Sequence, residues 1–223
     1  MSNIQNFYET IWNNIKSCNN TFYVDNSNLK KSYISLSNDI QKVAKIFSNN
    51  KNQLTVILAK KNYDHYCSII TTILTGNTWI PLSLENPIER NIKIIKDLKP
   101  KLFLTDQDLS SDTIRVLKNL KIKIHYFQDL KSNKETKKKV ILDFNFKDTE
   151  IPMIYYTSGS SGIPKGVKIS HQNLSTSVYR IYPLLKISEE VWGDYHDLSF
   201  VISIPILFVC IYSKGTIYCT SNK

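Results

Sequence analysis

The sequence is poor in the residues that build metal centres and disulfide frameworks. Its 223 residues include 4 cysteines and 4 histidines. The cysteines are Cys18, Cys67, Cys210 and Cys219, with no Cys-x-x-Cys pair and no metal-ligand spacing to a histidine. Cysteines so few and scattered are typical of a reducing cytosol, so we expect a cytoplasmic protein with no cysteine–histidine metal site.

The chain also lacks a long uninterrupted apolar run. The first sixteen residues have no basic start followed by an apolar core, so they do not resemble a signal peptide. The strongly apolar stretch Leu198–Ser213 carries no charge, but it has only 16 residues and contains Pro205. A membrane-spanning helix needs about 20 apolar residues. We therefore predict a buried core segment here rather than a membrane span.

Acidic residues are outnumbered, 19 against 29 lysines and arginines, which gives a net charge of +10. Such a balance favours nucleic acid or anionic membranes as partners. The lysines are nevertheless spread along the chain, and the densest run, Lys137–Lys139, has no interleaved aromatic residues. A solvated basic loop is the better interpretation, and we expect no nucleic-acid partner.

Strand-like and helix-like segments alternate along the chain. Strands are predicted at 54–59, 101–105, 122–127 and 151–156, with shorter extended pieces at 33–36, 78–80 and 140–144. Helices are predicted at 4–15, after a capping Ser37, between 66 and 74 before Gly76, after Pro87, and at 112–120. This order predicts an α/β layered fold with a largely parallel sheet in one domain spanning residues 1–223.

A glycine- and serine-rich loop follows the last predicted strand directly. Residues 157–166 contain three glycines, three serines, one threonine and Lys165. Glycines let successive backbone N–H groups converge on an anion, and hydroxyls and a lysine add donors for phosphate oxygens. A flexible linker has a similar composition. The preceding apolar strand and the closing Pro164-Lys165-Gly166 favour a polyphosphate loop, although not a Walker A loop, which needs Ser or Thr after the lysine.

The ordered string around this loop resembles the signature of the AMP-forming acyl-adenylating superfamily, which includes acyl-CoA synthetases, peptide-synthetase adenylation domains and D-alanine–carrier protein ligases. The string is Tyr156-Thr157-Ser158-Gly159-Ser160-Ser161-Gly162-Ile163-Pro164-Lys165-Gly166-Val167, followed by Ser170-His171-Gln172-Asn173-Leu174. The family usually has threonine in place of Ser161. Residues 32–38, 74–90 and 99–105 also resemble family segments, so the likeness runs from about Tyr33 to Tyr218.

The resemblance implies a layered helix–sheet–helix N-terminal domain and an ATP-dependent reaction. In the family a carboxylate attacks the α-phosphate of ATP, giving an acyl-adenylate and pyrophosphate, and the acyl group then passes to the thiol of coenzyme A or of a carrier protein. The β- and γ-phosphates, bridged by Mg²⁺, would lie against the loop. The residues that the resemblance assigns to them are Thr157, Ser158, Gly159, Ser160, Ser161, Gly162, Lys165 and Gly166.

Asp197 lies where peptide-synthetase-like members have a Phe-Asp-x-Ser motif, whose aspartate holds the substrate's amino group. The resemblance therefore implies an amino-acid substrate, although His196 replaces the phenylalanine. The alternative for Asp197 is a turn cap before the hydrophobic run. His171 is interpreted as a positioned loop residue rather than a catalytic base.

The family's adenine site, Mg²⁺-holding glutamate, hinge and C-terminal lysine would follow the last residue, Lys223. We therefore expect a partial adenylation domain that lacks a catalytic lysine and is inactive alone, or a non-catalytic remnant that binds nucleotide.

Overall fold

The computed structural model describes residues 3–47, 50–132, 139–158, 164–185 and 190–220. Its helices are α1 (Asn3–Ser17), α2 (Tyr33–Val43), α3 (Tyr63–Leu74), α4 (Ile88–Leu98), α5 (Ser111–Asn119), α6 (Phe127–Ser132), α7 (His171–Leu185) and α8 (Ser203–Tyr212), with a 3-10 helix at Ala44–Phe47. Its strands are β1 (Thr21–Asp25), β2 (Lys30–Ser32), β3 (Leu54–Leu58), β4 (Thr78–Leu82), β5 (Leu102–Thr105), β6 (Lys123–Tyr126), β7 (Met153–Ser158), β8 (Pro164–Ile169), β9 (Val191–Asp194) and β10 (Thr216–Cys219).

The strands form two sheets. The larger sheet has six strands in the order β6-β5-β3-β4-β7-β8, and only the β7–β8 pair is antiparallel. The smaller sheet has the order β2-β1-β10-β9, in which β1 and β2 are antiparallel and the other pairs are parallel. The predicted α/β fold with a largely parallel sheet is confirmed.

Both faces of the larger sheet are buried, as expected for a mainly parallel sheet. Successive residues of β3 point to opposite faces, so Val56 joins one core cluster and Ile57 the other. The first cluster is closed by α4 and α5, and the second by α1, α2, α3 and α8. Nearly every residue of α3 is buried, because Tyr63 and Tyr66 pack against Tyr23 of the smaller sheet.

One sequence prediction is wrong at the start of α2. The segment at 33–36 is the first helical turn and not an extended piece, and the cap is Ser32 rather than Ser37. Ser32 has extended backbone angles, and its hydroxyl accepts the N–H of Ser35 at 3.1 Å. Tyr33 and Leu36 stand three residues apart, so both reach the buried face of the helix.

The connection before β7 also differs from the prediction. The short extended piece expected at 140–144 has no regular structure, and its Phe144 inserts into the core together with Phe146. The predicted basic loop lies mostly outside the described residues. Of its three lysines only Lys139 is described, and it is exposed.

The buried core segment predicted for the uncharged stretch near the end of the chain is confirmed for α8, but not for the three residues before it. Residues Leu207–Ile211 of α8 are almost fully buried, and Pro205 occupies the first turn, where its missing N–H costs no helical hydrogen bond. None of the helices in the described part of the chain is long and apolar enough to cross a membrane. Phe200, Val201 and Ile202, just before this helix, are at least half exposed.

Candidate active site at the carboxyl edge of the sheet

The predicted phosphate loop starts in β7 and ends in β8, which form an antiparallel hairpin pair at the edge of the larger sheet. Residues 159–163, and with them Gly159, Ser160, Ser161 and Gly162, lie outside the described residues. The flanks are described: Thr157 pairs with Lys165, and Ser158 with Pro164, across antiparallel β7 and β8. Lys165 is exposed on β8. The hairpin itself was not predicted.

Gly166 has a packing reason for being glycine. It lies opposite Tyr156, and a Cβ at position 166 would stand 3.3 Å from the Tyr156 ring and 3.2 Å from Ile154 Cγ2. The Tyr156 hydroxyl donates to Asp97 Oδ2 of α4 at 2.7 Å. The Tyr156 ring thus packs against Gly166 of β8, while its hydroxyl is bonded to α4. These contacts connect the base of the hairpin to the neighbouring helix.

The larger sheet grows in both directions from β3. From β3 the chain adds β4 on one side, and then crosses to add β5 and β6 on the other. In open α/β sheets ligands bind outside the carboxyl ends of the strands. A cleft of about 600 Å³ lies at this edge, lined by residues that follow β3 and β4, by Asp25 and Cys219 of the smaller sheet, and by Asp197.

Asp197 is held at this cleft by two neighbours. Its Oδ1 accepts the N–H of Ser199 at 2.7 Å, and its Oδ2 accepts the hydroxyl of Ser83 at 3.3 Å. The first bond is the turn cap that the sequence offered as an alternative. A carboxylate has about four acceptor sites, so capping leaves room for a ligand. Asp197 both caps a turn and lines the cleft.

Ser83 and its supports were not predicted. Asn91 of α4 donates to the Ser83 carbonyl at 3.0 Å, and Asn86 donates to the Asn91 side chain at 3.1 Å. Glu85 N–H donates to the Ser83 hydroxyl at 3.2 Å. The only sequence signal is a polar cluster directly after β4, a place where parallel strands present functional residues.

A second group that the sequence did not reveal lies beneath the cleft. The ammonium of Lys61 donates to the carbonyl oxygens of Asp194 at 2.9 Å and His196 at 3.0 Å. It also lies 4.0 Å from Asp194 Oδ1, and both side chains are over nine-tenths buried. The Tyr66 hydroxyl donates to the other carboxylate oxygen of Asp194.

His171 is a packed residue, as interpreted from the sequence, although it begins α7 rather than lying in a loop. Its ring stacks on Phe146 at 4.5 Å between centroids, and its Nδ1 lies 2.6 Å from the Tyr8 hydroxyl. Burial lowers the pKa of His171 to about 4. The imidazole is therefore neutral at pH 7 and accepts the tyrosine proton.

The part of the chain that the structure describes contains no group of three or more histidine, cysteine, aspartate or glutamate side chains arranged to hold a metal. The expected Mg²⁺ therefore has no protein-built site among these residues, and it stays a prediction.

Comparison with known proteins gives this site a context. The sequence profile of the AMP-binding enzymes matches residues 12–223, nearly the whole chain. The chain belongs to the AMP-binding enzyme family. The resemblance seen in the sequence is therefore confirmed at the level of the family.

Two relatives show how much of this AMP-binding chain is shared with known proteins. Gramicidin S synthase 1 of Brevibacillus brevis is 25% identical over 195 residues, which are 86% of this chain and 17% of that protein. A D-alanine–D-alanyl carrier protein ligase of Lactococcus lactis is 30% identical over 181 residues, 79% of this chain and 35% of that protein. The chain thus spans about a fifth to a third of the length of these relatives.

The fold agrees with solved structures of the family. The crystal structure of ATP-bound MatB from Rhodopseudomonas palustris superposes with a TM-score of 0.85 at 14% identity, covering 96% of this chain and 44% of that chain. This likeness establishes the fold of the N-terminal part of an acyl-adenylating enzyme.

Proposed function

We propose that this chain provides the ATP-phosphate and substrate-binding part of an AMP-forming ligase that adenylates an amino acid. A substrate carboxylate oxygen attacks the α-phosphorus of ATP, the bond to the β-phosphate oxygen breaks, and pyrophosphate leaves. The acyl-adenylate then passes its acyl group to a thiol of a carrier protein or coenzyme A. The observation that carries the proposal is that the phosphate hairpin and the Asp197 cleft both lie at the carboxyl edge of the larger sheet.

The sheet register supports this placement. Trp79 of β4 pairs in parallel with Met153 of β7, so Ser83, directly after β4, and Thr157, near the end of β7, both lie at the carboxyl edge. Neighbouring strands are about 4.8 Å apart. The base of the hairpin therefore lies about one strand spacing away from Ser83, whose hydroxyl donates to Asp197. A triphosphate against the hairpin and a small acid in the cleft would thus be neighbours.

The charges that line the cleft favour an ammonium group. Three carboxylates line it, those of Asp25, Glu85 and Asp197, against the lysines 60 and 61. The ammonium of Lys61 is already taken by two carbonyl groups and by Asp194. Asp197 is therefore free of a lysine partner among the described residues, and it can receive a substrate cation in a partly buried setting where attraction is strong.

In such a reaction these residues would position ATP and the substrate and neutralise the charge of the phosphates. Thr157 and Lys165 would hold the outer phosphates, while Asp197 would fix the amino end of the substrate. Mg²⁺ would neutralise phosphate charge. Its protein ligands, and the residues that complete catalysis in the family, are expected outside the described residues.

Nucleotide binding by the isolated chain tests the role of the hairpin. Calorimetric titration with ATP and Mg²⁺ should show a Kd that rises roughly tenfold or more in Lys165→Ala, because a charge-assisted phosphate contact contributes about 1.5–3 kcal/mol. Lys168→Ala is the matched control, since Lys168 is also an exposed lysine of β8, and it should bind ATP within about twofold of the wild type.

Equal losses in the two variants would mean that the hairpin contributes only general positive charge, and would contradict the phosphate site. Amino-acid-dependent exchange of pyrophosphate into ATP then tests the reaction itself, measured on this chain joined to the C-terminal part that completes catalysis in the family. ATP binding without exchange for any amino acid would reduce the chain to a nucleotide-binding module.

A further inference from the structure

We propose that Lys61 is the positioning residue for Asp197, because its buried ammonium fixes the backbone segment that carries this carboxylate over the cleft. The inference rests on the proposed function for its biological meaning. Its structural content can nevertheless be tested without any ligand.

Lys61 connects two parts of the fold that are distant in the chain. It stands three residues after the end of β3 in the larger sheet, while its two acceptors, the carbonyl oxygens of Asp194 and His196, belong to the end of β9 and the residues after it. The connection is reinforced nearby, because the thiol of Cys219 faces the Lys61 carbonyl at 3.6 Å and Thr220 donates to the Asp194 carbonyl at 2.9 Å.

The hydrogen bonds of Asp197 itself are mostly local. Ser199 and Phe200 donate backbone N–H groups to its side chain and its carbonyl, and Ser203 donates its hydroxyl to the same carbonyl. These bonds shape the turn but cannot place it relative to the sheet. Two side-chain hydrogen bonds connect this turn to residues that follow strands of the larger sheet: the 3.3 Å bond from Ser83, and the bond from the Lys61 ammonium to the carbonyl of the preceding residue, His196. Leu198 adds apolar packing, since its side chain is buried in the core.

The chemistry of the group explains why a lysine can be buried here. Burying an ammonium is costly unless it is both paired and hydrogen-bonded. Lys61 has two carbonyl acceptors and the Asp194 carboxylate at 4.0 Å. Burial, together with the negative charge of Asp194, raises the pKa of Tyr66, which stays protonated and donates to that carboxylate. Because the Lys61 ammonium is paired with Asp194 and two carbonyl groups, it does not compete with a ligand for Asp197.

Three variants separate positioning from simple stability. Lys61→Met removes the ammonium but keeps most of the chain volume. Lys61→Met/Asp194→Asn also removes the charge left behind, while the amide oxygen still accepts the Tyr66 proton. Asp194→Asn alone keeps the ammonium on its two carbonyl groups. Lys60→Met, at the exposed neighbouring lysine, is the control.

Hydrogen–deuterium exchange of the peptide 195–203 is the ligand-free measurement. We expect the amides of Ser199 and Phe200 to exchange at least about tenfold faster in the double variant. A peptide covering β5 should exchange as in the wild type. Lys60→Met should keep the wild-type protection of 195–203, and Asp194→Asn should lose less of it than the double variant, because the ammonium keeps its two carbonyl acceptors. Wild-type protection of this peptide in the double variant would overturn the proposal.

Ligand binding then links the position of Asp197 to its use. If the wild-type chain binds an amino acid in the presence of ATP, the double variant should bind it at least tenfold more weakly, while its affinity for ATP alone should be unchanged. Faster exchange with unchanged amino-acid affinity would overturn the positioning role. An absence of amino-acid binding in the wild type would instead contradict the proposed function. The hydrogen–deuterium exchange result would still decide whether Lys61 fixes the position of the Asp197 turn.

Discussion

At the scale of single residues, the Asp197 carboxylate performs two tasks that the sequence presented as alternatives. One oxygen accepts a backbone N–H of its own turn, and the other faces the Ser83 hydroxyl at the cleft. Capping fixes the rotamer of the side chain, so the carboxylate is already oriented before any ligand arrives. A preorganised charge loses less conformational freedom on binding than a mobile one.

Asp197→Asn separates these two tasks. The amide oxygen can still accept the Ser199 N–H, so the free energy of unfolding should stay within about 0.5 kcal/mol of the wild type. Affinity for an amino acid, measured by calorimetry with ATP present, should fall at least about tenfold because the charge is lost. Asp143→Asn is the matched control, since Asp143 also accepts the N–H two residues on, at 3.0 Å. Equal affinity for acids with and without an amino group would contradict the assignment.

His171 makes the free energy of unfolding depend on pH. Because burial lowers its pKa to about 4 from 6.5, the unfolded chain binds a proton below pH 6.5 that the folded chain refuses. The stabilising effect of the neutral ring is therefore complete above pH 6.5 and is lost as the pH falls towards 4. Between pH 7 and 5 the loss is about 2 kcal/mol.

Urea unfolding at these two pH values, compared with His171→Gln, measures this effect. The glutamine can accept the Tyr8 hydroxyl but does not titrate, so its stability should fall by about 2 kcal/mol less than that of the wild type. His196→Gln, at an exposed histidine, should follow the wild type. Parallel losses in wild type and His171→Gln would show that the ring is protonated in the folded protein.

At the scale of elements, Ser32 and Ser37 provide a direct comparison of the structure with the sequence prediction. Ser32→Ala removes the hydroxyl that accepts the Ser35 N–H and should cost about 1 kcal/mol in the free energy of unfolding. Ser37→Ala lies inside α2 and should cost nothing or stabilise by a few tenths, because alanine favours helices. Denaturant unfolding at pH 7 compares the two, and a larger cost at position 37 would restore the sequence-based cap.

The elements that the sequence predicts are those whose signal is local. The apolar run of β3 and the helix stop at Gly76 can be read within a dozen residues, and Gly76 indeed has φ of +73°. The hairpin strand β8 is mostly exposed and carries lysines and a glycine, so it shows no strand periodicity. The smaller sheet depends on pairing residues 23–25 with 217–219, which no local pattern can reveal.

The same distinction applies to the site. The phosphate loop and Asp197 could be predicted because a family signature is written in consecutive residues, and their roles stay predictions. Ser83, Asn91 and Lys61 act through contacts with residues 8 to 135 positions away. Their immediate neighbours show no motif beyond the polar cluster after β4.

At the scale of the whole molecule, both sheets direct strand ends at one cleft. Asp25 and Cys219 end strands of the smaller sheet, and the residues after β3 and β4 come from the larger one. The buried helix α3 lies between the sheets and contributes Tyr66, which donates to Asp194. A ligand in this cleft would contact both sheets, so its affinity depends on how rigidly the sheets are joined.

The surface beside this cleft predicts association between copies of the chain. Tyr195, Phe200, Val201 and Ile202 are 70%, 62%, 52% and 50% exposed, and all four lie within five positions of Asp197 in the chain; we refer to them as the apolar patch. Clusters of exposed apolar residues are typical of interaction sites. Light scattering with size-exclusion chromatography should therefore give an average mass that rises above 25.8 kDa with concentration.

Phe200→Ser/Val201→Ser should keep the chain near 25.8 kDa over the same concentration range, because the two serines remove apolar area without touching a buried side chain. Leu184→Ser is the control, since Leu184 is 80% exposed on α7 and outside the patch, and it should associate as the wild type does. A wild-type chain that stays monomeric at every concentration would contradict the prediction. Association that survives in the double serine variant would place the contact elsewhere on the molecule.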